Sequence, residues 1–249
     1  MNAKEINDKL PRHVGIIMDG NGRWAARRGA ARTNGHTEGL KAARRVVERA
    51  SLRGIHYLTL FVFSTENWKR AASEVDFIMS LVKRHLMREL DFYRENHIRI
   101  RHTGDTSGLA PDIIAEIDEA RRGTKGFDGL QVILALNYGG RNEIIRAARR
   151  FLRQTAAASS DEAAAALTEE ELSRCLDNPD VPDPDLIIRT AGEFRVSNFL
   201  LWEAAYAEYF ITDKFWPDFS IDDFDAALAF YAARERRFGA NSESGAAVQ

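Results

Sequence analysis

The run Ile55-His56-Tyr57-Leu58-Thr59-Leu60-Phe61-Val62-Phe63 is nearly continuous in apolar, aromatic and β-branched residues, with no polar face. Such a strand has both faces covered, as strands inside a parallel sheet do. Parallel strands need long crossovers, usually helical, and the chain supplies them. Before the run, residues 38–53 place Leu40, Ala43, Val46, Val47 and Ala50 on one helical face, and Gly54 stops the helix. After it, residues 73–96 carry an apolar stripe of Phe77, Leu81, Leu86, Leu90 and Tyr93. Shorter strand signals recur at 13–18, 98–102, 130–136, 185–189 and 209–212, the second alternating like an edge strand. Helical patterns fall at 110–121, 142–157 and 220–238. The Ala/Ser-rich stretch 156–167 reads as a surface loop with frayed helix. The alternation predicts an α/β fold with a mostly parallel central sheet flanked by helices.

A chain of 249 residues suits one large domain. The expected division is a flexible start at 1–11, a single α/β domain at 12–238 and a disordered tail at 239–249. The net charge of −2 gives no footprint for nucleic acid, although Arg and Lys crowd between Arg12 and Arg53, which suits a compact polyanion. Cys175 is the one cysteine, so no intrachain disulfide forms and a partly buried thiol is expected. The first residues lack the apolar segment of a signal peptide. No stretch approaches the roughly 20 apolar residues of a membrane span. The expectation is a cytoplasmic protein whose contact with a membrane is at most peripheral.

Open parallel sheets bind ligands beyond the carboxyl ends of their strands. Three unusual polar runs lie at such ends: Asp19-Gly20-Asn21-Gly22-Arg23, Ser64-Thr65-Glu66-Asn67-Trp68-Lys69-Arg70, and Arg189-Thr190-Ala191-Gly192-Glu193-Phe194-Arg195-Val196-Ser197. Glycines let backbone N–H groups approach an anion, and arginines grip phosphate oxygens in pairs. A lone carboxylate among arginines opposes the anion they attract, unless Mg²⁺ bridges carboxylate and phosphate. These residues therefore point to phosphate-ester or diphosphate chemistry, and no further.

Singly, each piece has a plainer reading. Asp19-Gly20-Asn21-Gly22 is turn chemistry. Arg189 and Arg195 suit a surface, Trp24 and Trp68 a core, His36 a helix start and Glu208 a strand edge. Asp222-Asp223-Phe224-Asp225 lacks the spacing of an aspartate-rich prenyl-synthase box and reads as a helix N-terminus. No nucleotide P-loop is present.

Their combination is more specific. Met18-Asp19-Gly20-Asn21-Gly22-Arg23-Trp24-Ala25 comes first, followed by Arg32 and Gly35-His36, and then Phe63-Ser64-Thr65-Glu66-Asn67-Trp68. Asn137-Tyr138-Gly139-Gly140-Arg141 follows, then Arg189-Thr190-Ala191-Gly192-Glu193 with Arg195, Ser197-Asn198-Phe199-Leu200, Glu208 and Phe215-Trp216-Pro217. From Arg12 to Phe238 this order closely resembles the cis-prenyltransferase family, the undecaprenyl diphosphate synthase-like isoprenyl transferases.

The resemblance implies an α/β sheet with a hydrophobic product tunnel and a homodimer. The implied reaction is Mg²⁺-dependent condensation of isopentenyl diphosphate onto an allylic diphosphate, farnesyl diphosphate foremost. The implied product is a long Z-polyprenyl diphosphate such as undecaprenyl diphosphate, a lipid carrier for cell-wall sugars. A short- or medium-chain synthase is the alternative. Asp19 binds Mg²⁺ and assists departure of the allylic diphosphate, which Gly20, Asn21, Gly22, Arg23, Arg32 and His36 hold, with Trp24 beside them. Arg189, Arg195 and Ser197 hold the diphosphate of isopentenyl diphosphate, and Glu208 joins the Mg²⁺ shell. Ser64, Thr65, Glu66, Asn67, Trp68 and Arg70 belong to a loop closing over both substrates. The family places a proton acceptor at Asn67. An amide is barely basic, so a substrate diphosphate oxygen positioned by Asn67 is the physical sink.

Some positions depart from the family pattern. Ala71 stands where proline is usual, and Phe194 where many bacterial members carry a histidine near the metal. Ala191 replaces a small Gly or Ser without expected consequence. Val62 is larger than the usual alanine at a position where bulk limits product length. A non-catalytic scaffold subunit is the reading from another class, and the retained aspartate and loop residues oppose it.

Overall fold

The computed structural model describes residues 9–234. β1 (His13–Ile17) leads through α1 (Asn21–Arg27) and α2 (Arg32–Leu52) to β2 (Tyr57–Ser64). A 3-10 turn, Thr65–Lys69, and α3 (Ala72–Glu95) follow, then β3 (Arg99–Thr103), α4 (Pro111–Gly123) and β4 (Gln131–Tyr138). α5 (Gly140–Gln154), α6 (Ser160–Ala166) and α7 (Glu169–Arg174) precede β5 (Leu186–Arg189), β6 (Glu208–Ile211) and α8 (Ile221–Ala232). The expected tail at 239–249, the end of the final helical pattern at 235–238 and residues 1–8 of the expected flexible start lie outside the described residues.

The strands form one sheet in the order β3-β4-β2-β1-β5-β6, and each neighbouring pair is parallel. The apolar run became β2, with β1 on one side and β4 on the other. The alternating stretch became β3, at an edge. On one face α2, α3, α4 and α8 pack a large core around Leu58, Leu60, Val132 and Ile188. On the other face Tyr138, Ile187, Phe199 and Leu200 make a smaller cluster, and α5 packs Phe151 against Cys175, which is buried.

Three local readings change. Asp19-Gly20-Asn21-Gly22 is a turn that at once opens a helix, α1. Gly20 adopts φ 102°, and a Cβ there would lie 2.7 Å from Phe215, so only glycine fits without strain. α2 starts at Arg32, six residues before the expected start at 38, despite Thr33, Asn34 and Gly35, which are weak helix formers. Tertiary packing overrides propensity there: α2 lies against α1 so closely that a Cβ on Gly35 would sit 2.0 Å from the Asn21 carbonyl oxygen. The stretch expected to be loop holds α6, capped by a reciprocal Ser159–Glu162 pair.

β2 also carries an irregularity. Its register against β4 shifts between Phe61 and Phe63, so Val62 has no partner. Alternation would send Phe61 and Val62 to opposite faces. The bulge re-aims the strand, and both side chains line the space described next.

Candidate functional site

The order in which strands are added reverses at β1: the connection from β1 goes to β2 on one side, and β5 fills the other. Such switch points open a crevice beyond the carboxyl ends of the strands. Here the crevice is a basin of about 480 Å³. β1 ends at Ile17, two residues before Asp19, β2 at Ser64 and β5 at Arg189, so all three predicted loops meet in it.

Asp19 is held from several directions. Its Oδ2 accepts from Arg189 at 2.9 Å and its Oδ1 accepts from the Gly20 N–H at 2.7 Å. Arg23 lies 3.3 Å away, and the Thr190 hydroxyl fixes the backbone by donating to the Asp19 carbonyl at 2.7 Å. Burial opposes ionisation of this carboxyl, but the hydrogen bond and charge of Arg189, the Gly20 N–H and Arg23 outweigh it and hold its pKa below the ordinary value. Asp19 is therefore a carboxylate, a hard oxygen ligand facing the basin.

Arg189 is 4% exposed. Besides Asp19 it donates to Ser197 Oγ at 2.7 Å and to the Arg195 carbonyl, so it organises its own loop. Its Nε is buried without an acceptor, and so is the Oδ1 of Asn21 without a donor. Arg195 pairs with Glu193, which also holds Arg23 at 2.9 Å. Ala191, Ser197, Asn198 and Leu200 all have positive φ. Positive φ in non-glycine residues clusters where a fold stores strain for function. Ala191, at φ 72°, is thus not a neutral replacement for glycine.

The opposite wall centres on a residue that the sequence reading missed. Glu74, at the start of α3, lies 3.0 Å from Arg70, 3.3 Å from Arg32 and 3.3 Å from His36 Nε2. Burial of Glu74 works against ionisation, but Arg70, Arg32 and His36 reverse it and lower its pKa. Burial lowers the pKa of His36, with Glu74 partly opposing, so its ring is neutral near pH 7. A lone acid in the first turn of a helix reads as a dipole charge, which is why its role was hidden.

The 3-10 turn joins the two walls. Asn67 Oδ1 accepts from the Ser64 N–H at 3.1 Å, closing a capping box. With the oxygen so engaged, the amide presents N–H donors to the basin, as suits a group that positions an anion. Glu66 accepts from Asn198 at 2.7 Å, tying this turn to the loop after β5. Trp68 donates to Asn137 at 2.7 Å and packs edge-on against Phe63. Thr65 bonds Glu66 at 3.2 Å.

Not every predicted residue lines the basin. Asp19, Gly20, Asn21, Gly22, Arg23, Arg32, His36, Ser64, Asn67, Arg70, Arg189, Arg195 and Ser197 do. Trp24 faces away: its indole N–H donates to Asp218 at 2.7 Å, and the Arg28 guanidinium lies over its ring. Thr65, Glu66 and Trp68 brace the turn from behind. Glu208 does not share a metal with Asp19 within one chain. It begins β6, level with Leu186 and hence with Val14, at the amino end of the sheet, and pairs with Arg234. Asp19 lies five residues further along, roughly 16 Å at strand rise. Phe194 is 83% exposed and stands outside the basin.

Asn21, His36, Met18, Phe61, Val62 and Ile78 also line a second cavity of about 110 Å³, continuous with the basin. Its walls are apolar side chains of α2, α3, β2 and β4. Leu81, expected on the apolar stripe of its helix, and its neighbour Val82 are only half-buried, and both face it. Among the described residues, no three His, Cys, Asp or Glu side chains cluster as metal ligands. A lone Asp19 still fits Mg²⁺, which binds through one or two carboxylates plus substrate phosphates and keeps waters. No helix of the described residues is long and apolar enough to cross a membrane.

A charged basin opening into an apolar slot defines an enzyme that handles an anionic head on a hydrocarbon tail. The family model described as putative undecaprenyl diphosphate synthase matches residues 17–239. The chain belongs to that family and is a prenyltransferase. Isoprenyl transferases of Treponema denticola and Agrobacterium fabrum are 47% and 49% identical to it, over 94% of this chain and 99% and 94% of theirs. Two solved structures are similar. Lavandulyl diphosphate synthase from Lavandula x intermedia, in complex with dimethylallyl diphosphate, superposes with a TM-score of 0.86 at 34% identity, covering 93% of this chain and 99% of that one. A probable undecaprenyl diphosphate synthase from Campylobacter jejuni gives 0.77 at 35% identity, covering 92% and 98%.

Proposed function

We propose that this prenyltransferase condenses isopentenyl diphosphate onto an allylic diphosphate, farnesyl diphosphate among its primers, to build a long Z-polyprenyl diphosphate with Mg²⁺ bound at Asp19. The observation that carries this reading is the Asp19–Arg189 pair at the meeting point of a polar basin and an apolar slot. The dimethylallyl diphosphate in the lavandulyl synthase supports an allylic diphosphate as the ligand class.

In this reading Arg23, Arg32, Asn21 and His36 hold the allylic diphosphate over the mouth of the slot, with its hydrocarbon tail inside. Arg189, Arg195 and Ser197 hold isopentenyl diphosphate. The allylic C–O bond breaks with its electron pair leaving on diphosphate, a new C–C bond forms to the terminal carbon of isopentenyl diphosphate, and one proton leaves the adduct. Asp19 would hold Mg²⁺, which when bound would supply neutralisation of charge on the departing diphosphate. The arginines supply the same stabilisation from fixed positions, and the slot keeps water from the cationic carbon fragment. The proton goes to a diphosphate oxygen that the Asn67 amide orients.

We place the enzyme in the cytoplasm as a homodimer, releasing its product toward a membrane surface. Glu208, remote from Asp19 in its own chain, joins a metal shell only if a second copy supplies it. The shorter-chain alternative is favoured by one observation, the polar side chains of Arg44, His85 and Tyr93 in the lining of the slot.

The test is incubation of purified protein with farnesyl diphosphate, labelled isopentenyl diphosphate and Mg²⁺. Chain extension that chelator and Asp19→Ala abolish is expected. No extension, or extension that survives Asp19→Ala unchanged, overturns the reading.

A further inference from the structure

α2 and α3 both start at the rim, with Arg32 and His36 on one and Glu74 on the other, and run away from it. Residue number therefore measures depth along both. From Glu74 to Tyr93 is nineteen residues, about 28 Å of helix. The upper part of the slot is aliphatic, with Leu40, Ala43, Ile78 and Val82 among its walls. The deep end keeps aliphatic walls at Val47, Leu86 and Val132 but adds polar side chains.

There, Tyr93 Oη and His85 Nε2 lie 2.6 Å apart, eight residues apart on one helix, with the rings edge-on. Tyr93 is 3% exposed. Arg44 closes the side: it reaches from α2 to Glu89 on α3 at 2.6 Å, and its guanidinium lies 4.5 Å from the centre of the Phe92 ring. Burial, and then the Arg44 charge, push His85 down to about 4, so the His85–Tyr93 pair is neutral.

A polar pair walling a hydrocarbon slot needs a reason. We propose that the His85–Tyr93 bridge is the stopper that fixes product length: the growing tail descends the slot until it meets this pair. A hydrocarbon tail passing this point must separate two buried polar groups and offers neither a hydrogen bond. Val62 lies elsewhere, at the mouth shared by both cavities. Its bulk narrows the passage for every tail instead of halting a long one. This inference rests on the reading above, since a stopper has meaning only where a chain grows.

The test compares product lengths from farnesyl diphosphate and labelled isopentenyl diphosphate, by chromatography. Tyr93→Phe removes only the hydroxyl and preserves packing. It is expected to shift the products longer by at least one isoprene unit. His85→Ala, which also removes bulk, is expected to shift them further, with an unchanged KM for the primer because neither residue touches the basin. Product lengths equal to wild type in both variants overturn the stopper while leaving prenyl transfer intact. If His85→Ala does not fold, Tyr93→Phe alone decides. A wild-type protein that extends nothing refutes the proposed function itself, a distinct outcome.

Discussion

The basin and the slot share six lining residues yet treat titratable groups in opposite ways. In the basin, Asp19 and Glu74 are held ionised by arginines that overcome burial. In the slot, burial prevails and His85 is held neutral. The divide falls within a few residues, at Asn21, Val62 and Ile78. Among the lining residues, charge is gathered in the basin, and Arg44 is the arginine that lines the slot.

The most severe way to break this contrast is to discharge the basin. Asp19→Asn keeps the shape and removes the charge. Extension should fall by roughly 10³-fold, the upper range for losing one preorganised electrostatic group, while the circular dichroism spectrum is unchanged. Retention of more than a tenth of the rate would show that the carboxylate is not essential.

The slot is tested by acid. His85 has a folded pKa of about 4 against 6.5 in the unfolded chain. Between those values the unfolded state binds a proton that the native state refuses, so stability falls as pH drops from 6.5 to about 4. The loss reaches about 3 kcal/mol. His85→Phe should remove that part of the slope in urea titrations, and an unchanged slope would contradict a neutral buried ring. Asp19 acts later and with the usual carboxylate sign. Its depressed pKa gives stability that is present above pH 3.8 and lost as pH falls through the lower folded value.

Glu74→Gln sharpens the contrast within the basin. Arg70, Arg32 and His36 lose their common anchor, and hydrogen bonds to charged groups contribute about 1.5–3 kcal/mol. A roughly tenfold to hundredfold fall in kcat/KM is expected, carried mainly by the KM for the allylic primer. The smallest effect is expected for Asn67→Asp. It preserves the oxygen that caps Ser64, removes the N–H donors and adds a negative charge, so extension should slow by about tenfold, the worth of one ordinary hydrogen bond. A faster variant would identify position 67 as the base.

Much of this architecture was legible in the sequence. Doubly buried strands announce themselves because neither face needs polar residues, and β2 was found on that ground. Element ends and contacts between elements were less legible. Asn21-Gly22 reads locally as a turn, and nothing in sequence shows that Gly35 must receive the Asn21 carbonyl. Residues at strand ends could be assigned to the rim, as Asp19 and Arg189 were. The family pattern added Glu208, but which end of a strand a residue occupies depends on register, and β6 places it at the wrong end for its own chain. Trp24 was misjudged because a seven-residue helix turns its ring away from Asp19.

The arginines of the basin are already neutralised: Arg189 by Asp19, Arg23 by Asp19 and Glu193, Arg195 by Glu193, and Arg32 and Arg70 by Glu74. The rim therefore works as an ion exchanger with its counter-ions built in. An incoming anion competes with a resident carboxylate for each cation that it takes. A singly charged anion such as chloride cannot engage the cations of both walls at once, whereas the diphosphate of the proposed reading would. The resident carboxylates thus set a threshold of charge that any ligand of the rim meets before its hydrocarbon makes a contact.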